Sequence, residues 1–290
     1  MVPVPNFKSV AGHKTKTMTI NCKGNLIDLN IPKVMGILNL TPDSFFDGGR
    51  YSDEREVLER AETMLFEGAS FIDVGAYSSR PGAAVVSEKQ ELERILPIIG
   101  LLQDEFPHSI LSIDTFRSKV AHECLNAGAA IINDISAGKM DKDMMSVVAS
   151  HQVPYIMMHM KGTPQTMQGE TVYENLVTDI LYHFSERIAV ARAHRINDII
   201  LDPGFGFAKT LEQNYQLLQQ LNLFQSMEVP ILAGLSRKSI IYKVLGTDAE
   251  RALNGTTALH MVALDRGAQI LRAHDVREAM ECIALKQALG

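Results

Sequence analysis

Eight short β-rich runs alternate with stretches of helical periodicity, and no other feature of the chain limits its fold so severely. The runs are 33–39 "KVMGILN", 70–75 "SFIDVG", 109–114 "SILSID", 130–134 "AIIND", 153–159 "VPYIMMH", 198–202 "DIILD", 229–234 "VPILAG" and 267–272 "GAQILR". On average they recur after roughly thirty to forty residues, room for one strand, one helix and two loops. Most are apolar throughout instead of alternating, so cover is expected on both faces. A parallel sheet follows, and eight βα units are the number that closes a TIM barrel. Ahead of them, "TMTINC" and "NLIDLN" predict an N-terminal β-hairpin.

The intervening segments carry helix signals. Val57, Leu58, Ala61 and Leu65 share one face of 53–67, which opens on acidic residues and is followed by Gly68. In 87–105, Ser87 and Gln90 have capping-box spacing, Leu92, Ile95, Leu96 and Ile99 form a stripe, and Pro97 predicts a kink. Segments 170–195, 211–221, 250–265 and 275–288 also read as helices. No low-complexity linker divides the chain, so we expect one α/β domain over residues 1–290, with its core at 33–288.

Composition narrows the function. A net charge of −6 argues against non-specific binding to nucleic acid or to an anionic membrane, both of which need a basic face. Cys22, Cys124 and Cys282 are odd in number and far apart, which predicts neither a disulfide framework nor a zinc knuckle. The first residues lack the apolar core of a signal peptide, and "ILPIIGLL" (95–102) is too short to span a bilayer. The expectation is a cytoplasmic protein without membrane contact.

In a TIM barrel the chemistry gathers where the strands end. Here those ends carry Asn39, Asp73, Asp114, Asn133 with Asp134, His159, Asp202, Ser236 to Lys238, and Arg272 with His274. Any one of them is explained as a polar group satisfying loop backbone, but a ring of them points to a site. "GLSRKS" (234–239) and "RAHD" (272–275) follow the last two strands, where barrel phosphate sites usually lie, and Arg272 and His274, two residues apart, should point the same way. The loop "NLTPDSFFDGG" (39–49) reads as a lid or an ordinary turn, and "GAYSSRPGA" (75–83) adds Arg80.

Several motifs fail. The glycines before Lys209 in "LDPGFGFAKT" (201–210) do not make a phosphate loop, because Pro203 and Ala208 stand where it needs glycine. "HECLN" (122–126) has Asn126 in place of the second zinc histidine, which leaves His122 a helix-surface residue. There is no G-x-S-x-G elbow, and the fourteen methionines read as core filler.

Taken in order, "NLTPDSFFDGG", "SSRPGA", "SIDT", "IND", "MHMKGTP", "DPGFGFAK", "GLSRKS" and "RAHDV" resemble dihydropteroate synthases, over residues 34–276. The resemblance implies condensation of a dihydropterin methyl diphosphate with 4-aminobenzoate, release of diphosphate, a place in folate biosynthesis, and sulfonamides as inhibitors. Position by position it implies Asp202 as bidentate acceptor for the pterin, Asn133 and Asp114 on the rest of the ring edge, and Lys238 as donor to its carbonyl side. Phe207 would line the aminobenzoate site, with Ser236 and Arg80 beside it, while Phe205 is packing. Asn39 would be a magnesium ligand, Arg272 and His274 would bind the phosphates, Ser79 would donate to them, and Asp47 would order the first loop. Asp114, Lys238, Arg80 and Asp47 are the residues expected to serve catalysis. No nucleophilic side chain is required, because an aromatic amine is neutral at pH 7, and a dissociative substitution is expected. The family likeness also implies a homodimer through the last helices, where Val276, Ala279, Met280 and Ile283 are apolar.

The chain departs from the family pattern at Tyr77, where glutamate is common, at Ser79, where threonine is usual, and at Ala208, a frequent glycine. Two other activities fit parts of the sequence: a Schiff-base aldolase using Lys238, and a methyltransferase-like or non-catalytic pterin-binding barrel.

Overall fold

The computed structural model describes residues 18–40, 50–77 and 86–289. An antiparallel hairpin, β1 (Thr19–Cys22) and β2 (Asn25–Asp28), precedes an eight-stranded parallel sheet. The sheet strands are β3 (Lys33–Asn39), β4 (Phe71–Gly75), β5 (Leu111–Asp114), β6 (Ile131–Asp134), β7 (Tyr155–Met158), β8 (Ile199–Asp202), β9 (Leu232–Ala233) and β10 (Ile270–Ala273). Each pairs with its sequence neighbour from β3 to β8, and β10 lies between β3 and β9. The remaining seam, between β8 and β9, is joined by a parallel bridge from Leu201 to Ile231, with the Leu201 amide donating to Pro230 O at 2.8 Å. The cylinder is therefore closed, as the eight predicted units require.

The helices are α1 (Arg50–Glu67), α2 (Glu88–Glu105), α3 (Ser118–Asn126), α4 (Met144–His151), α5 (Leu176–Ala193), α6 (Leu211–Gln219), α7 (Ser239–Leu245), α8 (Leu253–Asp265) and α9 (Val276–Leu289). The capping box read from Ser87 and Gln90 is formed at the start of α2, and Thr210 with Gln213 makes another at α6. Helices α3, α4 and α7, of nine, eight and seven residues, are too short to reveal a period. β9 shrinks to two residues where six were expected, because its side toward β8 is held by the single Leu201–Ile231 bridge and not by a ladder.

Strand parity sorts every barrel side chain. Val34, Ile72, Leu111, Ile113, Ile132, Tyr155, Met157, Ile199, Leu201 and Leu271 point outward and pack under the helices in the main core. Met35, Phe71, Ile131, Ile156, Ile200, Leu232 and Ile270 point inward and form a separate core. Ile20, Cys22 and Leu29 of the hairpin and the residue after it join that inner core, so the hairpin stoppers the barrel at the end where strands begin. Two residues further along each strand, the same inward parity brings Asp73, Asn133, Asp202 and Arg272 to the opposite end.

Candidate active site

The floor of the C-terminal mouth is a network of charges. Arg272 on β10 donates Nε to Asp73 Oδ2 at 2.6 Å and Nη2 to Asp114 Oδ2 at 2.9 Å. Asn133 Nδ2 donates to the same Asp73 oxygen at 2.9 Å. On the other side of the mouth, the Gly204 amide donates to Asp202 Oδ1 at 2.8 Å, and Lys238 lies near enough to Asp202 for their charges to attract. A Cβ at Gly234 would stand 3.6 Å from Lys238 Nζ and 3.8 Å from Asp202 Oδ2, so the missing side chain leaves space between the two. Ser236 Oγ accepts from the His274 amide and lies 3.1 Å from His274 Nδ1.

Burial governs the charges here. It pushes Asp114 up to about 7, against the pull of Arg272, with Asp73 adding repulsion. It also raises Asp202, opposed by Lys238 and by the Gly204 N–H. Lys238 is lowered to about 8 by the same desolvation, which Asp202 partly offsets. Arg272 is penalised by burial too, but Asp73 and Asp114 outweigh that and hold its pKa above the ordinary value. The mouth thus holds carboxylates short of hydrogen-bond donors and an ammonium short of acceptors, which a ligand with a mixed donor and acceptor edge would satisfy.

Above this floor sits an apolar shelf of Ile135, Met158, Met160, Met167 and Ala208, with Phe116 and Phe207 packed against it. Lys238 Nζ lies 4.8 Å from the Phe207 ring centroid. A planar heterocycle laid on the shelf would meet polar groups at its edge. Phe207 is half-buried at the mouth, whereas Phe205 is wholly buried, as expected of packing.

The loop that carries Phe207 has its own fastening. Gly204 has φ +72°, and a Cβ there would approach His159 O to 2.1 Å. Lys209, which failed as a phosphate-loop lysine, is buried and donates Nζ to Gly204 O and Phe207 O at 2.9 and 3.0 Å, with His159 Nδ1 3.2 Å away. His159 is therefore behind the loop, on the outward side of its strand, and not among the groups at the mouth. Ala208 holds φ +50°, a left-handed geometry that explains why glycine suits this position.

Asn39 ends β3 opposite Gly75 on the inward parity. Among the described residues no three His, Cys, Asp or Glu side chains converge on a metal position. One amide oxygen does not make a cage, but it fits a magnesium ion that keeps most of its waters and arrives on a phosphate.

The family described as "Pterin binding enzyme" matches residues 35–274. A dihydropteroate synthase of Synechocystis is 45% identical over 259 residues, 88% of this chain and 89% of that protein. The Escherichia coli dihydropteroate synthase is 39% identical over 273 residues, 93% of this chain and 96% of the relative. The chain belongs to the dihydropteroate synthase family. Its fold matches the Yersinia pestis dihydropteroate synthase in a sulfonamide complex, with a TM-score of 0.88 at 41% identity over 94% of this chain and 99% of the other. The Xanthomonas albilineans dihydropteroate synthase with 4-aminobenzoic acid superposes equally well, with a TM-score of 0.88 at 36% identity over 94% and 98% of the two chains.

Of the positions that the family resemblance singled out, Asn39, Asp114, Asn133, Asp202, Phe207, Ser236, Lys238, Arg272 and His274 all lie at the C-terminal ends of strands or in the loops that follow them. Ser79, Arg80 and Asp47 lie outside the described residues. Sequence reading missed three things: the shelf from Ile135 to Met160, the Lys209 fastening, and Asp73 as the partner of both Arg272 and Asn133. Parity along "FIDVG" places Asp73 inside, but its partners sit 60 and 199 residues away. Tyr77, a departure from the family pattern, packs edge-on to Phe116 with centroids 5.1 Å apart and takes a hydrogen bond from Gln165 Nε2 at 3.1 Å. Arg237 has no vacant end: it forms a two-pronged pair with Asp275, both bonds 2.8 Å.

Proposed function

We infer that this chain condenses 6-hydroxymethyl-7,8-dihydropterin diphosphate with 4-aminobenzoate, giving 7,8-dihydropteroate and diphosphate. The observation that carries this reading is the pairing of a polar floor with an apolar shelf inside a chain of this family. Asp202 accepts from the pterin ring amide and its exocyclic amine. Asn133 reads the mixed edge, Lys238 donates to the carbonyl side, and Asp114 faces the remaining ring nitrogens.

The bond from the pterin methylene carbon to the diphosphate oxygen breaks, and its electron pair leaves with the diphosphate. The resulting cation is stabilised by the pterin ring and by the ionised carboxylates of the floor. The amine lone pair of 4-aminobenzoate forms the new C–N bond, and the nitrogen then loses a proton to solvent. Arg272 and His274 bind the departing phosphates, with Ser79 donating to them. Asn39 would hold a magnesium ion, which when bound would neutralise charge on the leaving group. Phe207 and Ser236 frame the aminobenzoate, Arg80 serves the same substrate, and Asp47 serves catalysis from the first loop.

A Schiff base on Lys238 has less support, because that amine donates a hydrogen bond to Phe205 O at 2.5 Å and is attracted by the Asp202 charge. Three buried free thiols favour a reducing, cytoplasmic setting, and no helix among the described residues is long and apolar enough to cross a membrane. For a homodimer, Val276, Ala279 and Ile283 are already spent on the barrel core and Met280 packs against it. Leu285, Leu289 and Val262 are the large apolar residues exposed on α8 and α9, and they are the better candidates.

The decisive assay measures diphosphate release from the pterin diphosphate with and without 4-aminobenzoate and magnesium. Release that depends on the amine, with dihydropteroate formed in equal amount, is expected. Borohydride trapping of a carbonyl substrate on Lys238, with no diphosphate released, would instead favour the aldolase.

A further inference from the structure

Asp73 is wholly buried on β4, yet it touches two residues of the proposed active site at once, Asn133 on the pterin side and Arg272 on the phosphate side. The following rests on the reaction assigned above. One carboxylate oxygen of Asp73 accepts from Arg272 Nε and from Asn133 Nδ2, joining β4 to β10 and β6. Its other oxygen, Oδ1, is buried without a hydrogen-bond partner among the described residues. Arg272 spans two carboxylates, with Nε on the enclosed Asp73 and Nη2 on Asp114, which is nearer the mouth. In this arrangement Arg272 holds Oδ2 of Asp114, one of the two oxygens with which that carboxylate could accept from a pterin.

We propose that Asp73 is a positioning residue, holding Arg272 by Nε while an arriving pterin displaces Nη2 from Asp114, and fixing which edge of the Asn133 amide meets the ring. Two geometric facts support it. A carboxylate only accepts, so the Asn133 group facing Asp73 is the NH2; turning the amide over would set Oδ1 against Oδ2. Asn133 consequently presents its second N–H and its Oδ1 in one fixed order. The guanidinium is planar and rigid, with Nε on Asp73 and Nη2 on Asp114, so giving up the Asp114 contact still leaves Arg272 tied to β4 through Nε.

The test uses isothermal titration of the full chain with two separate probes, 6-hydroxymethyl-7,8-dihydropterin and inorganic diphosphate. Asp73→Asn is expected to weaken pterin binding about tenfold or more, since two hydrogen bonds to a charged acceptor are disturbed. In an Asn133→Ala background the same change should cost no more than about twofold for the pterin, because the residues act as one unit. The acid limb of kcat/KM for the pterin diphosphate should move to lower pH in Asp73→Asn. Asp114 would then lose the repulsion of Asp73 and keep Arg272 to itself, with Glu91 and Asp134 unchanged at longer range.

Should Asp73→Asn not fold, the wild type still answers: the Arg272 Nε–H proton, assigned with Arg272→Lys, should stay protected from exchange when pterin is added. Unchanged pterin affinity with an unmoved acid limb, additive effects with Asn133→Ala, or loss of Nε–H protection on pterin binding would overturn the inference alone. A wild type that binds no pterin would overturn the assigned reaction and this inference together.

Discussion

Asp202 and Asp114 show how differently two strand-end aspartates are provided for. Asp202 keeps a backbone donor from Gly204 at 2.8 Å, while Asp114 takes its hydrogen bond from Arg272 and is carried to about 7 by burial. Both must be ionised to accept from a pterin, and Lys238, lowered to about 8, must be protonated to donate. Loss of the Asp114 charge below about 7 and of the Lys238 charge above about 8 gives kcat/KM a bell shape. Its acid limb should follow Asp114 and vanish toward lower pH in Asp114→Asn variants that retain activity; a flat profile from pH 6 to 9 would contradict this. Asp202→Asn turns one acceptor into a donor facing the ring amine, and should weaken pterin binding by roughly tenfold or more by calorimetry. All these residues are visible as strand ends in the sequence. Their pKa values are not, because desolvation depends on what closes over them.

At the scale of elements, the loop from Pro203 to Lys209 shows how a polar site is held on a flexible backbone. Gly204 packs against His159 O, and Lys209 gathers two carbonyls of the same loop beneath Phe207. Alanine at 204 would meet that carbonyl at 2.1 Å and strain a φ of +72°, so the loop must move. Gly204→Ala should cost about 1–3 kcal/mol in urea unfolding and remove the amide from Asp202, raising KM for the pterin substrate. Wild-type stability and KM in that variant would show the contact to be dispensable. The glycine and phenylalanine pattern announces such a loop, and strands β3 to β8 were legible from apolar runs alone. β9 and β10 were legible too, β9 at six residues against the two it has, but α3, α4 and α7 were not, since seven to nine residues hold too little periodicity to separate from a turn.

Across the whole molecule, the two ends of the barrel have separate duties. The hairpin end is closed by Ile20, Cys22 and Leu29 against Phe71, Ile131 and Ile270, and the other end carries the polar network. Leu29→Ala, at a wholly buried position, should lower unfolding stability by about 2–5 kcal/mol while leaving KM for both substrates unchanged at temperatures where the variant is folded. A shifted KM would mean the plug and the site communicate. The chain's own pattern was enough to determine the closed (β/α)8 cylinder, its hairpin, and the mouth as the place of chemistry. Period and parity are local properties, and eight repeats leave one way of burying apolar faces. Which polar groups meet was decided only in three dimensions. Arg272 finds Asp73 and Asp114 across 199 and 158 residues of chain, Met158 and Phe116 become a shelf, and Lys209 turns inward. Closure sets neighbours by the register of strands distant in sequence, and no local pattern records that register.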